Sequence, residues 1–193
     1  MAAKPDDSPR HYYTLDEYFA LEHAGDARYE YWNGDIVCMS GGSLAHYRIA
    51  SNVHLSLGRK LAGGPCVAFT EGVPIKTPTL FPYRYPDASV VCGEPRVENI
   101  HGVDALMNPT LIVEVLSPSS ENRDRGEKLS AYQQIEGFQE YLLIAQQAPR
   151  VTRYLRQADS GWFQEEVTGM DGIIRFGSIP CDLPLAEIHE GVI

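Results

Sequence analysis

The chain has 193 residues and contains no apolar run that approaches the roughly 20 residues a membrane-spanning helix needs. Its first ten residues are polar, without the pattern of a secretory signal, so we predict a cytoplasmic protein with no membrane segment. Basic residues are also scarce: 16 Lys and Arg stand against 26 Asp and Glu, a formal net charge of −10. This deficit counts against broad binding of nucleic acid, which usually leaves a basic surface.

Cysteine is rare as well, and its spacing is uninformative. The four cysteines lie far apart, and none forms a Cys-x-x-Cys pair. That spacing argues against a structural zinc site and against a small disulfide framework. We therefore expect buried free thiols at Cys38, Cys66, Cys92 and Cys181.

What the chain does contain is ordinary for a globular protein. Apolar residues make up 44% of it, and its length suffices to bury a sizeable core. Residues 1–11 are polar and carry two prolines, which predicts a disordered tail. The remaining residues, 12–193, are predicted to form a single domain.

Local signals predict the elements of that domain. Thr14 to Glu17 match a capping box that begins a helix, Asn33-Gly34 predicts a tight hairpin, and 43–62 predicts a long amphipathic helix. The mixture indicates an α/β or α+β fold with a mixed sheet. Further strands are predicted at about 66–70, 72–76, 86–92, 110–116, 140–145 and 151–156, a helix at about 123–135, a loop or short irregular element at 93–109, and a last hairpin across 162–176.

Two acidic residues lie inside strand-like apolar segments. Asp87 follows Pro86 at the start of one segment, and Glu114 lies in the middle of another. A carboxylate in a buried strand loses hydration and is rarely left unpaired, so two of them on neighbouring strands suggest a shared cation held by oxygen ligands. Two simpler interpretations stay open: Asp87 as a turn residue, and Glu114 paired with Arg28 or Arg84.

A lysine further along the chain is placed to approach Glu114. Asp124, Lys128 and Tyr132 are four residues apart and share one face of the predicted helix. A helix that packs back over its own strand could bring Lys128 close to Glu114. An ammonium beside a metal site can stabilise an attacking hydroxide or the charge that develops on phosphate. The simpler interpretation is a solvated lysine on an exposed helix face.

Other residues have weaker signals. His46 lies early in the long helix, where it could touch a phosphate or simply pack against a neighbouring element. Arg123 and Arg125 form, with Lys128, the basic cluster nearest the proposed site, although acidic neighbours offset it.

Four segments follow one another in an ordered set of motifs: Arg28-Tyr-Glu-Tyr-Trp-Asn-Gly-Asp, Tyr85-Pro-Asp, Val113-Glu-Val-Leu-Ser-Pro-Ser, and Asp124-Arg-Gly-Glu-Lys with Tyr132. Together they resemble the Uma-two family of restriction-endonuclease-like proteins, within the PD-(D/E)xK nuclease superfamily. The resemblance runs from about residue 12 to about residue 156. One departure from the broad superfamily pattern is that the position two after Glu114 holds Leu116 instead of lysine, and Lys128 corresponds to the displaced lysine of the closer family.

The resemblance implies a restriction-endonuclease-like fold, with a mixed central sheet of four or five strands flanked by helices. It implies a metal held by Asp87, Glu114 and the main-chain carbonyl of Val115, with Lys128 and Glu30 as further catalytic residues. Mg²⁺ is the expected ion, with Mn²⁺ as a substitute, and the implied reaction is hydrolysis of DNA phosphodiester bonds. A homodimer is expected, since two copies suit the cutting of two strands.

Two alternatives come from different classes of protein. The net charge of −10 and Leu116 favour a non-catalytic nucleic-acid-binding or assembly module that retains the fold. A metal-dependent hydrolase of a small phosphate would also explain the acidity. The sequence does not distinguish DNA from RNA as substrate, and it gives no recognition sequence.

Overall fold

A computed structural model describes residues 11–25, 29–32, 34–39, 41–79, 83–100, 102–159 and 161–192. The chain divides into two compact units, Met1–Ser40 and Gly41–Ile193. Nearly all of the predicted disordered tail lies outside the described residues, and the single domain over 12–193 stays a prediction. Among the described helices, none is long and apolar enough to cross a lipid bilayer.

The first unit consists of a helix and a hairpin. Thr14 caps helix α1 (Leu15–Ala24) through the predicted capping box with Glu17. Strands β1 (Tyr29–Trp32) and β2 (Asp35–Cys38) pair antiparallel with Trp32 opposite Asp35, which confirms the predicted hairpin. The Tyr18 hydroxyl donates to the Tyr29 carbonyl at 3.0 Å and so ties the helix to the first strand.

The second unit is built on a mixed sheet. Its six strands lie in the order β12-β11-β10-β9-β6-β3, and every neighbouring pair is antiparallel except β9 and β10, which are parallel. This confirms the predicted fold class, with six strands in the described part of the sheet instead of four or five. The strands are β3 (Cys66–Thr70), β6 (Ala88–Cys92), β9 (Leu111–Val115), β10 (Glu140–Ile144), β11 (Arg150–Arg156) and β12 (Trp162–Thr168).

Smaller elements surround this sheet. A second sheet of four strands has the order β5-β4-β8-β7, and β13 pairs with β14. Two predictions were therefore wrong. Residues 93–109, predicted as a loop or short irregular element, contain a hairpin. The strands within 162–176, predicted to form a hairpin, pair with other strands instead of with each other. The elements are β4 (Ile75–Lys76), β5 (Tyr83–Arg84), β7 (Val97–Ile100), β8 (Val103–Leu106), β13 (Ile173–Arg175), β14 (Asp182–Pro184) and helix α5 (Leu185–Ile188).

Helices cover both faces of the central sheet. Helix α2 (Leu44–Leu61), predicted as a long amphipathic helix and capped by Ser43, places Ile49, Val53 and Leu57 against one face. The opposite face is covered by residues 121–133, which we call the helical segment. It consists of α3 (Glu121–Arg123), a π-helix (Asp124–Lys128) and α4 (Leu129–Gln133). Because β9 alternates, Val113 and Val115 face α2 while Glu114 faces the helical segment.

The prediction of four free thiols was wrong for one pair. Cys66 on β3 lies opposite Cys92 on β6, and the two form a disulfide. Their separation of 26 residues gave no hint of this, because strand register and not sequence spacing brings them together. Cys38 and Cys181 carry free thiols as expected, but the predicted burial was wrong for both, because Cys38 is exposed and Cys181 is half-buried.

Candidate active site

Asp87 and Glu114 lie close to each other because their strands are neighbours. β6 and β9 pair antiparallel with Ala88 opposite Val113, and the Asp87 N–H donates to the Val113 carbonyl at 3.1 Å. The next residue along β9 is Glu114, so both acids occupy the same end of this strand pair. Asp87 Oδ2 also accepts a hydrogen bond of 2.6 Å from the Val115 N–H. This arrangement is the one that the two strand-like segments predicted.

Glu114 receives two hydrogen bonds from the helical segment. Lys128 Nζ and the Tyr132 hydroxyl both lie 3.0 Å from Glu114 Oε1. The side chains of Glu114 and Lys128 are each only 4% exposed. The predicted approach of Lys128 to Glu114 therefore occurs, and Lys128 is a buried partner instead of a solvated surface charge.

The π-helix directs a second acid inward beside Lys128. Lys128 Nζ lies 3.3 Å from Asp124 Oδ1, and the Asp124 side chain is 1% exposed. The Tyr141 hydroxyl on β10 donates to the Asp124 carbonyl at 3.0 Å and fixes this turn to the sheet. A π-helix widens the turn relative to an α-helix and is frequent at functional sites. Burial, together with the nearby charge of Glu114, raises the pKa of Tyr141 well above its ordinary value.

These contacts join two carboxylates to one ammonium. Glu114 and Asp124 both contact Lys128, and Asp87 directly precedes β6, the strand next to β9. Burying like charges is unfavourable unless positive charge accompanies them, and Lys128 supplies that charge for Glu114 and Asp124. Carboxylate oxygens such as those of Asp87 and Glu114 are also the ligands that a divalent cation such as Mg²⁺ prefers.

His46, near the start of α2, contacts the first of these acids. Its Nε2 lies 2.8 Å from Asp87 Oδ1, and its Nδ1 faces the side-chain amide of Gln146 at 3.5 Å. Burial alone would lower the pKa of His46, but the hydrogen bond and charge of Asp87, with Asp124 and Glu71, raise it. Gln146 was not predicted: it lies two residues after the end of the buried strand β10, and no local pattern marks it.

The other predicted residues occupy three different settings. Leu116, at the position where the superfamily pattern has lysine, packs in the apolar cluster beneath the helical segment. Val115 contributes its N–H to Asp87 and its side chain to the α2 face, so the predicted use of its carbonyl as a ligand stays a prediction. Glu30 belongs to the first unit, where Trp32 Nε1 donates to its carboxylate at 3.0 Å. A catalytic role for Glu30 likewise stays a prediction.

The donor set fits Mg²⁺ or Mn²⁺ better than a softer metal. Asp87 and Glu114 supply carboxylate oxygens, and each oxygen of a carboxylate has two lone pairs, so a hydrogen-bonded oxygen can still bind a cation. Nowhere in the described ranges do three or more His, Cys, Asp or Glu side chains gather in a ready metal site. A cation here would complete its coordination with main-chain oxygens and water, and Mg²⁺ commonly keeps several waters.

The fold is that of a nuclease-like protein. A crystal structure described as "a putative nuclease belonging to DUF820", from Anabaena variabilis ATCC 29413, superimposes with a TM-score of 0.71. The match covers 94% of this chain and 99% of that one at 22% sequence identity, so it supports the fold alone.

Residues 15–183 match the family model Uma2, described as "Putative restriction endonuclease", and the chain belongs to this family. Two relatives come from Synechocystis sp. (strain ATCC 27184 / PCC 6803 / Kazusa). "Uncharacterized protein sll1609" is 31% identical over 163 residues, which covers 84% of this chain and 92% of that protein. "Uncharacterized protein slr1290" is 32% identical over 162 residues, which covers 84% of each.

Proposed function

We propose that this protein is a Mg²⁺-dependent endonuclease that hydrolyses DNA phosphodiester bonds. The observation that carries the proposal is the buried contact of 3.0 Å between Lys128 and Glu114, beside Asp87 on the next strand. A solvated lysine would need no such partner, and burial of these charges is costly unless they serve each other or a ligand. Membership of a family described as restriction endonucleases supports the same reaction class.

In this proposal each residue of the site has a separate role. Asp87, Glu114 and the Val115 carbonyl would hold the metal, which when bound would supply a Lewis acid for the phosphate and lower the pKa of a water that serves as nucleophile. Lys128 orients that water or stabilises negative charge on the phosphate, and Glu30 is a supporting acid. Asp124 and Tyr132 hold Lys128 and Glu114 in register, so the ammonium is fixed before substrate arrives.

We further propose a homodimer, because a pair of related sites suits cleavage of the two strands of a duplex. A net charge of −10 implies that contact with DNA is confined to a local region around the site. A bound cation would add positive charge at that region.

The test is nicking of supercoiled plasmid with Mg²⁺ or Mn²⁺ at low salt. Asp87→Asn and Lys128→Met should each lower the rate about 100-fold or more, since each removes charge stabilisation at the reacting phosphate. Asp159→Asn and Lys60→Met, both on the surface, are matched controls and should cut at the wild-type rate. EDTA should abolish cutting by the wild type.

Other outcomes separate the alternatives. Salt-sensitive DNA binding in a gel-shift assay, with no nicking under either metal, would identify a non-catalytic binding module. The charge of −10 and Leu116 give this second candidate its support. A third outcome is that the wild type neither binds nor nicks DNA but hydrolyses p-nitrophenyl phosphate, and that Asp87→Asn loses this hydrolysis. This outcome would identify a hydrolase of small phosphates.

A further inference from the structure

Asp87 is held from a side that the proposed catalytic residues do not occupy. His46 reaches it from α2, with Nε2 at 2.8 Å from Asp87 Oδ1, and both side chains are mostly buried. The other carboxylate oxygen, Oδ2, accepts the Val115 N–H at 2.6 Å. Both carboxylate oxygens of Asp87 thus take part in hydrogen bonds, and these bonds restrict rotation of the carboxylate.

The ring of His46 is itself oriented by Gln146. The Gln146 amide nitrogen lies 3.5 Å from His46 Nδ1 and donates to the Leu116 carbonyl at 2.7 Å. Its amide oxygen accepts from the Ser43 hydroxyl at 2.6 Å. The Gln146 nitrogen can only donate, so its contact with Nδ1 favours the tautomer that carries a proton on Nε2, where the ring faces Asp87.

The arrangement links three elements that meet at one end of the sheet. Ser43 begins α2, and its hydroxyl also accepts the His46 N–H at 3.1 Å. Gln146 follows β10, and Leu116 follows β9. A side chain that served only to fill space would not need a partner on both ring nitrogens.

We propose that His46 is a positioning residue that fixes the Asp87 carboxylate for cation binding, with Gln146 and Ser43 orienting its ring. This inference rests on the proposed function, in which Asp87 is a metal ligand. Carboxylates that bind metals are commonly held by hydrogen bonds of this kind, and loss of such a partner typically weakens metal binding about 10- to 100-fold. His46 itself does not bind the metal in this proposal.

The test compares two amide substitutions that differ by one methylene. In His46→Gln the side-chain nitrogen reaches about as far as the imidazole Nε2, so the hydrogen bond to Asp87 is kept. In His46→Asn it reaches only as far as Nδ1, and the bond is lost. Both replacements are polar and fit a helix surface, so a difference between them reports the hydrogen bond and not the loss of the ring.

Binding of Mn²⁺ alone is measured by isothermal titration calorimetry, which needs no catalytic turnover. His46→Asn should weaken Mn²⁺ binding about 10- to 100-fold, and His46→Gln should stay within about threefold of wild type. His54→Asn, on the same helix, is the control and should bind as wild type does. Nicking by His46→Asn should recover at saturating Mn²⁺, because the defect lies in metal affinity.

The outcomes are separable from failure of the proposed function. If the wild type binds no Mn²⁺, the metal site itself is wrong. If the wild type binds Mn²⁺ and His46→Asn binds it equally well, the metal site stands and the role of His46 is overturned. Equal weakening in His46→Gln and His46→Asn would also overturn it, since the ring and not the hydrogen bond would then matter.

Discussion

At the scale of single residues, several buried or half-buried charges of the second unit lie beside groups of opposite charge. Glu114 and Asp124 share Lys128, Asp87 has His46, and Arg153 on β11 contacts Glu140 and Glu165. Two opposing effects act on the pKa of Arg153. Burial lowers this pKa, but the hydrogen bonds and charges of Glu165 and Glu140 outweigh burial and raise it. Removal of one member of such a group leaves the others buried without compensation.

Lys128→Met should therefore lower the free energy of unfolding by about 3–5 kcal/mol in EDTA, measured by urea denaturation. Lys60→Met is the matched control, since Lys60 and its partner Glu187 are 32% and 41% exposed. That change should cost less than about 1 kcal/mol. An equal cost for the two substitutions would contradict a buried role for Lys128.

The contact between Lys128 and Glu114 followed from the sequence, whereas the contact of His46 with Asp87 did not. Alternation along β9 and four-residue spacing along the helical segment are local patterns, and a helix returning over its own strand is a short-range event. His46 and Asp87 are 41 residues apart on elements that meet only through the tertiary fold. Gln146 had no local pattern at all.

At the scale of elements, helix α2 combines a buried stripe with an exposed face. Gly58 lies on the exposed face, and a methyl group added there would meet no atom within 4 Å. Glycine weakens a helix interior because it loses more conformational freedom on folding than alanine does. The sequence predicted this helix correctly, since cap and apolar spacing are both encoded within it.

Gly58→Ala should raise the free energy of unfolding by about 0.5–1 kcal/mol, measured by thermal and urea denaturation. Gly93→Ala is expected to have the opposite effect on the free energy of unfolding. Gly93 has φ of +84°, a conformation that costs alanine about 1–2 kcal/mol, so that variant should be less stable than wild type. A loss of stability in Gly58→Ala would show that its surroundings are more crowded than the helix surface implies.

Helix α5 is tied to α2 through Glu187. Its carboxylate accepts hydrogen bonds from the Ser56 hydroxyl and from Lys60 Nζ, the latter at 3.1 Å. The hydrogen bond from Ser56 lowers the pKa of Glu187, burial opposes it, and the hydrogen bond and charge of Lys60 add to the lowering. A carboxyl group with a lowered folded-state pKa stabilises the protein above its unfolded pKa, and this stabilisation is lost as the pH falls through the folded value.

Glu187→Gln should therefore be less stable than wild type at pH 7, by less than about 1 kcal/mol, because the group is partly exposed. The difference should shrink as the pH falls below the unfolded-state pKa of about 4.3 and through the lower folded-state value, because the wild-type carboxylate then becomes protonated. Urea midpoints at pH 7 and pH 3 measure it, with Glu190→Gln as the control. If the stability difference between wild type and Glu187→Gln grew on acidification, the pKa of Glu187 would not be lowered in the folded protein.

Errors at this scale share one cause. The hairpin at 97–106 and the partners of β12 and β13 depend on strand pairing, which the local pattern of a strand does not specify. The π-helix was predicted as ordinary helix, since its residues have no distinct local preference. Where cap, turn and periodicity agreed, as in α1 and the first hairpin, the prediction was correct.

At the scale of the whole molecule, the disulfide between Cys66 and Cys92 constrains the unfolded chain. It closes a loop across 26 residues of sequence and joins an edge strand to the strand that leads from Asp87. Closing a loop of this length stabilises a folded protein by about 3 kcal/mol in the chain-entropy account.

A Cys66→Ala/Cys92→Ala variant should lose about 3 kcal/mol of unfolding free energy in non-reducing buffer. Wild type with dithiothreitol should match the variant, because both lack the covalent link. Cys38→Ala removes an exposed free thiol and should leave the unfolding free energy unchanged, both with and without dithiothreitol. A variant as stable as the non-reduced wild type would indicate that the two thiols stay reduced in solution.

Lys128 lies on the helical segment and not on the strand that carries Glu114, so two separate elements bring the pair together. Central strands of a sheet generally open only in global unfolding, whereas segments packed on one face can open at a lower free energy. In the proposed mechanism, an opening confined to residues 121–133 would remove the lysine from the site while the sheet stays folded.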